Sequence, residues 1–283
     1  GSDLILLQEV ETREFYFYFQ PELLQKGYEG VFQNKSRART MGEGAAERVD
    51  GCAVFWKTAV FEKQHEHVVE FERLGAAGAG LGGGGQAAAD MLNRVMPKDN
   101  IAILLLLKHL PTGKPIVVSN SHLTWDPVYK DVKLIQAVML TNEVSKFMKQ
   151  HTDWPKTRVA TICGGDFNST PDSGVFEFMN TGSQGPLAKA DLEGRNYTAF
   201  FESIGGLKHQ LHLKSCYTSE MPYTNYTHDF TGIIDYIFCS ADLLSPQAVL
   251  GPVDPKVMET YYGNPNPHFP SDHFSLVTQL AFL

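Results

Sequence analysis

Short apolar runs recur along the chain at Leu4–Leu7, Cys52–Trp56, Ile101–Leu107, Ile116–Ser121, Arg158–Cys163, Ile233–Phe238 and Phe274–Leu283. Most are continuous rather than alternating, the pattern expected of strands covered on both faces. Between them, Leu134, Ala137, Val138, Thr141, Val144, Ser145 and Met148 fall at offsets 0, 3, 4, 7, 10, 11 and 14. That spacing makes one stripe along a helix of about four turns. A second helix is predicted from Glu14 to Lys26, with Thr12 as N-cap, Gly27 as stop and Pro21 as a complication. Strands mixed with helices over the whole length give an α/β layered fold. Residues 75–89 read GAAGAGLGGGGQAAA, a composition poor in large apolar groups that predicts a flexible surface loop. No Gly-Lys-Ser/Thr follows it, so it lacks the signature of a phosphate-cradling loop. Without repeats or a Pro-rich linker, residues 1–283 are expected to form one domain.

Composition narrows the class. The 24 Lys and Arg stand against 32 Asp and Glu, a formal charge of −8. Such a balance argues against holding nucleic acid by broad phosphate neutralisation, though not against a nuclease that meets phosphate through metal ions. No apolar run approaches the roughly 20 residues of a membrane span, and Gly1-Ser2-Asp3 carries no secretory pattern. Gly1-Ser2 reads as the scar of a cleaved tag, so the native start is expected elsewhere. Cys52, Cys163, Cys216 and Cys239 show no CxxC spacing, which suits buried thiols in a reducing compartment rather than a zinc site. The sequons at Asn34, Asn168, Asn196 and Asn225 read as chance matches.

Polar, metal-competent side chains sit where apolar strands hand the chain to loops. Leu4–Gln8 leads to Glu9, Thr161–Gly165 to Asp166 and Asn168, Gly232–Ile234 to Asp235, and Pro270-Ser271 to Asp272 and His273. Oxygen donors from Asp166 and Asn168 suit Mg²⁺, and their i, i+2 spacing puts both on one side of an extended chain. Asp235, flanked by apolar residues, is costly unless paired; His273 is its candidate partner, oriented through one imidazole nitrogen. Asp272 adds negative charge for a metal, and His122, at the end of another strand, is placed to bond a phosphorane oxygen. Plainer readings stand beside each: a solvated strand end for Glu9, an Asx-turn for Asp166 and Asn168, a structural ion pair for Asp235, a core histidine for His273. The other histidines, His65, His67 and His228 among them, read as surface residues. With no Ser or Cys nucleophile elbow, the set fits phosphoester hydrolysis by metal-activated water. Tyr223, Tyr226 and Phe230 precede Asp235, and Trp125 and Pro127 follow His122; such faces can stack a base, while Trp125 and Tyr236 are expected in the core.

The ordered motifs Gln8-Glu9, Ser121–Pro127, Gly165–Ser169, Ile234–Tyr236 and Ser271–Phe274 resemble the exonuclease/endonuclease/phosphatase superfamily. The stretches LQEVET from Leu7, KSRARTM from Lys35, VDGCAVFWK from Val49, MLNRVMPKDNI from Met91, WDPVYKDVKLIQ from Trp125 and MPYTNYTHDFTGIIDYIF from Met221 resemble its poly(A) deadenylase branch, the catalytic subunits of the carbon catabolite repression–Not complex. The resemblance implies a four-layer α/β sandwich, two packed mixed sheets flanked by helices. It implies Glu9 on one Mg²⁺, with Asp166, Asn168 and His273 around the scissile phosphate and a second Mg²⁺. By the same resemblance Asp235 pairs with His273, His122 contacts phosphate, and Pro127 and Phe230 sandwich a 3′-terminal adenine. The implied activity is 3′-to-5′ removal of adenylates from mRNA with release of 5′-AMP, in the cytoplasm and also the nucleus. Arg37 and Arg39 are candidates for the RNA backbone or for an exposed basic face. An earlier family strand carrying a phosphate-contacting Asn, and the leucine-rich repeats that tether a partner deadenylase, precede the point where this chain begins. An incomplete sheet, with weak or no activity of this chain alone, is therefore expected. Other phosphodiesterase or phosphatase activities of the superfamily, on abasic DNA, inositol phosphates or nucleotides, and a silent RNA-binding scaffold are the competing readings.

Overall fold

In the computed structural model, residues 1–81, 89–217, 221–258 and 260–283 are described. Strand β1 (Leu4–Glu11) leads through a helical segment α1 at residues 12–24 to β2 (Tyr28–Asn34) and β3 (Asp50–Lys57). These strands form a sheet in the order β1-β3-β2, antiparallel throughout. Next come β4 (Phe61–Glu70), helix α2 (Phe71–Leu81), β5 (Ile101–His109), β6 (Pro115–His122), the long helix α3 (Lys130–His151) and β7 (Ala160–Asp166). Helices α4 (Gly174–Thr181), α5 (Pro186–Asp191) and α6 (Thr198–Ile204) precede β8 (Leu213–Ser215), a hairpin of β9 (Asn225–Tyr226) and β10 (Thr231–Gly232), and β11 (Asp235–Ser240). Strands β12 (Leu244–Val249) and β13 (Thr278–Phe282) pair with each other. The second large sheet runs β4-β5-β6-β7-β11-β8 and is mixed, because β6 and β7 are parallel, joined by the α3 crossover.

Side-chain alternation assembles the layers. On β5, Ile101, Ile103, Leu105 and Leu107 meet Val54 and Trp56 of the first sheet, whereas Ala102, Leu104 and Leu106 pack with Leu134, Val138 and other α3 residues. Being covered on both faces is why β5 reads as an unbroken apolar run. On the far side of the first sheet, Phe15 of α1 packs against Val10, Tyr28, Ala53 and Phe55. The order helix, sheet, sheet, helices is the expected four-layer α/β sandwich, with the first sheet antiparallel rather than mixed. A buried amide ties the sheets together: Asn120 on β6 donates to Leu7 O (2.8 Å) and Ala53 O (2.9 Å) and accepts from Gln8 Nε2 (2.6 Å).

Several local expectations need correction. The helix expected at 14–26 occupies residues 12–24, with a π-turn at Phe15–Phe19. Thr12 does not cap it; its hydroxyl donates to Val49 O at 2.9 Å. Pro21 fits because the wide turn ahead of it ends and Pro21 falls in the first turn of the following α-helical stretch, where its missing N–H costs little. Of the loop expected at 75–89, residues 75–81 belong to α2, and 82–88 lie outside the described residues. Small residues serve close packing here. A Cβ on Gly75 would lie 3.0 Å from Met96 N, and one on Gly78 would lie 2.6 Å from the Met91 methyl, so the helix seats against the neighbouring turn Met91–Val95. The terminal strand begins at Thr278, not Phe274. The polar strand β4 and the two-residue strands β9 and β10 carry no apolar run to announce them.

Candidate active site

Three strand ends meet at one rim of the mixed sheet. His122 on β6 pairs with Asp166 on β7, and Asp166 pairs with Asp235 on β11. Directly paired residues share a face, so imidazole and two carboxylates stand in one row. Gly165 makes this possible, since at φ +147° a Cβ there would lie 2.0 Å from Ser121 O. His273 closes the group. Its Nδ1 lies 2.8 Å from Asp235 Oδ2, and its Nε2 is 3.9 Å from Asp166 Oδ2 and 4.0 Å from Asp272 Oδ2. One ligand atom each of Asp166, Asp235 and His273 lie within 4.8 Å of one another.

Thr224, which no pattern along the sequence singles out, holds this group in place together with its neighbours. Thr224 Oγ1 accepts from Ile234 N (3.0 Å) and Asp235 N (3.1 Å). Phe274 N donates to Thr224 O and Tyr226 N to Asp272 O, while Asn225 Nδ2 donates to Asp272 Oδ2 at 3.3 Å. Residues 224–226 thereby stitch the His273 segment to the start of β11. Asn225 is buried, consistent with its sequon being a chance match.

Asn168 is not in extended chain. Its φ is +48°, and its N donates to Asp166 Oδ1 at 2.7 Å, an Asx-turn. The turn does not withdraw it from the site: Nδ2 donates to Leu123 O at 3.0 Å, leaving Oδ1 as the atom it can present. Lys133, buried on α3, donates to Asn168 O at 2.7 Å. Glu9 sits in a bulge of β1, where the register with β3 shifts between Leu7 and Val10, and its φ is +58°. Bulges re-aim side chains beside functional sites. Here Glu9 is outside the tight group but within electrostatic reach of Asp272 and His273.

The charges of this rim oppose one another. Burial, and then the Asp235 carboxylate, hold the Asp166 carboxyl well above its ordinary pKa. Removal from water also raises Glu9, which Lys35 partly offsets. Burial disfavours the charged His273 ring, yet its hydrogen bond to Asp235 and the carboxylates around it push its pKa up to about 9. His122 is nine-tenths shielded from water and pushed down to about 3, so its ring is neutral. Its Nδ1 has no hydrogen-bond partner among the described residues, and its Nε2 is 3.5 Å from Asp166 Oδ2. By position, the oxygens of Asp166 and Asp235 with the His273 ring form a group that could hold a metal ion.

The surroundings depart from expectation in two respects. Arg37 pairs with Asp50 and Asp99 at 2.6 Å each, and Arg39 pairs with Glu70 and Glu72, so both are neutralised within the chain. Tyr236 is buried and donates to Ser169 O at 2.7 Å, but Trp125 is not in the core: it is 73% exposed. Pro127 is exposed on the loop after His122, and Phe230 is exposed at the tip of the β9–β10 hairpin, its ring over Gly232.

A family model described as "Endonuclease/Exonuclease/phosphatase family" matches residues 1–273. The chain is 38% identical to the CCR4-NOT transcription complex subunit 6-like-B of Xenopus laevis, over 99% of this chain and 55% of that protein. It is 39% identical to the CCR4-Not complex 3′-5′-exoribonuclease subunit Ccr4 of Yarrowia lipolytica, over 99% of this chain and 42% of that protein. The chain thus spans about half the length of these curated relatives. Among solved structures, ANGEL2, a 2′,3′-cyclic phosphatase, superposes with TM-score 0.77 at 25% identity, over 99% of this chain and 81% of that one. The human Nocturnin catalytic domain shares the fold, with TM-score 0.66 at 21% identity over 99% and 81%.

Proposed function

We propose a function from one premise: the chain belongs to the Endonuclease/Exonuclease/phosphatase family. It is the catalytic portion of a Mg²⁺-dependent 3′-to-5′ exoribonuclease that removes adenylates from poly(A) RNA and releases 5′-AMP. The names of relatives at 38 to 40% identity support this reading. The observation that carries it is the row of His122, Asp166 and Asp235 across three adjacent strand ends, with His273 bonded to Asp235.

The donor set fits hard divalent ions, which take oxygen ligands from carboxylates and amides. Asp166, Asn168 and Asp272, together with Glu9 across the rim, would hold two Mg²⁺ ions; His273, expected among the ligands, is instead held as a charged donor by Asp235, which leaves its ring no free lone pair for a metal. When bound, such ions neutralise phosphoryl charge and generate a nucleophile from water at neutral pH. The protein's own groups do the rest. Asp235 fixes the His273 ring so that Nε2 faces Asp166, placing a proton donor where charge develops on phosphate. Neutral His122 offers a second donor without adding charge. Pro127 and Phe230 take the two faces of the terminal adenine, which sets the 3′-end preference. Other subunits of a deadenylase complex are the protein partners this reading implies.

The test is 5′-labelled RNA ending in a 3′ run of A or of U. Stepwise shortening of the A-tailed RNA with 5′-AMP as product is expected, slow for this chain alone. The likeness to ANGEL2 favours a second reading, cleavage of a 2′,3′-cyclic phosphate. Loss of that group from a cyclic-ended RNA without any shortening would replace the first reading by the second.

A further inference from the structure

Trp125 combines an exposed side chain with a fixed backbone. Exposed tryptophans of this degree are uncommon, and those on loose loops need no explanation. This loop is not loose. Leu123 N donates to Asp166 O, and Leu123 O accepts from Asn168 Nδ2. Thr124 is buried, its N donating to Gln136 Oε1 at 2.9 Å and its hydroxyl to Asn100 Oδ1 at 2.9 Å. Beyond Trp125, the Asp126 carboxylate accepts from Val128 N and caps the short turn Pro127–Tyr129. The backbone on both sides is therefore anchored, directly to the Asp166 and Asn168 strand end on one side, while the indole faces solvent.

A large aromatic surface carried into water on an anchored backbone, three residues beyond His122, is what a single-stranded nucleic acid site requires. Stacking uses the face common to every base and is strongest where the platform is already ordered. With Pro127 and Phe230 assigned to the terminal adenine, we propose that Trp125 is the stacking platform for the preceding nucleotide, a second subsite that lengthens the grip on RNA. The inference rests on the exoribonuclease reading and adds to it a residue that acts on binding. A surface for a protein partner would also be apolar, but nothing requires such a surface to be fastened to the strand end that carries the chemistry.

Fluorescence tests it without turnover. Of the three tryptophans, Trp56 is buried and Trp154 is partly buried, so Trp125 dominates quenching by added ligand. Oligo(A) in EDTA should quench the unaltered protein, and the W125F variant should lose that response. In Mg²⁺, W125A should raise KM for oligo(A) by roughly tenfold, with the change in KM rather than kcat, and W125F should restore most of it. Oligo(A) with an abasic penultimate position should be bound equally by unaltered protein and W125A. If the unaltered protein shortens oligo(A) while quenching and KM ignore Trp125, the second subsite is wrong and the exoribonuclease reading stands. If the unaltered protein neither binds nor shortens oligo(A), both fall.

Discussion

Asp235 and His273 show how a residue far along the sequence decides what another can do. The 2.8 Å bond between them fixes the imidazole, and the carboxylate keeps it charged. D235N retains an acceptor but loses the charge, so kcat for RNA shortening should fall roughly 10- to 100-fold, read from steady-state kinetics with the far-ultraviolet spectrum as a fold control. A different histidine tests the physics of burial away from the chemistry. His209, with Nε2 on Phe178 O at 3.1 Å, is pushed down to about 4 by burial. Its folded pKa lies below the unfolded value near 6.5. The stability it contributes is complete above that value and is lost as pH falls toward 4. Unfolding free energies from urea denaturation between pH 7 and 4.5 should drop more steeply for the unaltered protein than for H209Q, by on the order of 1–3 kcal/mol. Parallel curves would contradict this. Glu9 and Asp166 were legible because each ends an apolar run, Asp235 because apolar residues flank it on both sides, and His273 as the candidate partner such a charge needs. Thr224 and Lys133 were not, because they act on backbone atoms of residues distant in sequence, which leaves no local pattern. Trp125 misled because an aromatic residue is more often buried than presented.

At the scale of elements, the glycines carry structure in two unlike ways. In α2 they permit close approach of a neighbouring turn, so a composition that reads as loop folds as helix once there is something small enough to fit against. At Gly165 the backbone itself is special, because φ is +147° and a Cβ would meet Ser121 O at 2.0 Å. G165A should cost at least about 2 kcal/mol in urea denaturation, and activity should fall with it because the displaced strand carries His122. Unchanged stability would mean that β6 and β7 have freedom this register denies them. Strands buried on both faces were legible from sequence, β5 above all. The edge strand β4 was not, since its KQHEH stretch is exposed, and β9 and β10 are fixed by pairing rather than by any pattern of their own.

Over the whole molecule, the two sheets act as a frame that brings Glu9 from one and Asp166, Asp235 and His122 from the other to a common rim. Asn120, bonded to Leu7 O and Ala53 O between the sheets, fixes how the first sheet's contribution sits against the second's. The order of layers follows from apolar faces. The juxtaposition of charges follows from which strands pair, information that motif order hints at and only the fold supplies. The claim on which the rest depends is that this rim is a divalent-cation centre acting on RNA. Its most direct measurement is the rate of oligo(A) shortening across a Mg²⁺ titration for the unaltered protein, beside D166N under the same conditions. The rate should rise with Mg²⁺ to a plateau and vanish in EDTA, and D166N should stay near background at every concentration. A D166N rate that follows the unaltered protein's would contradict the account.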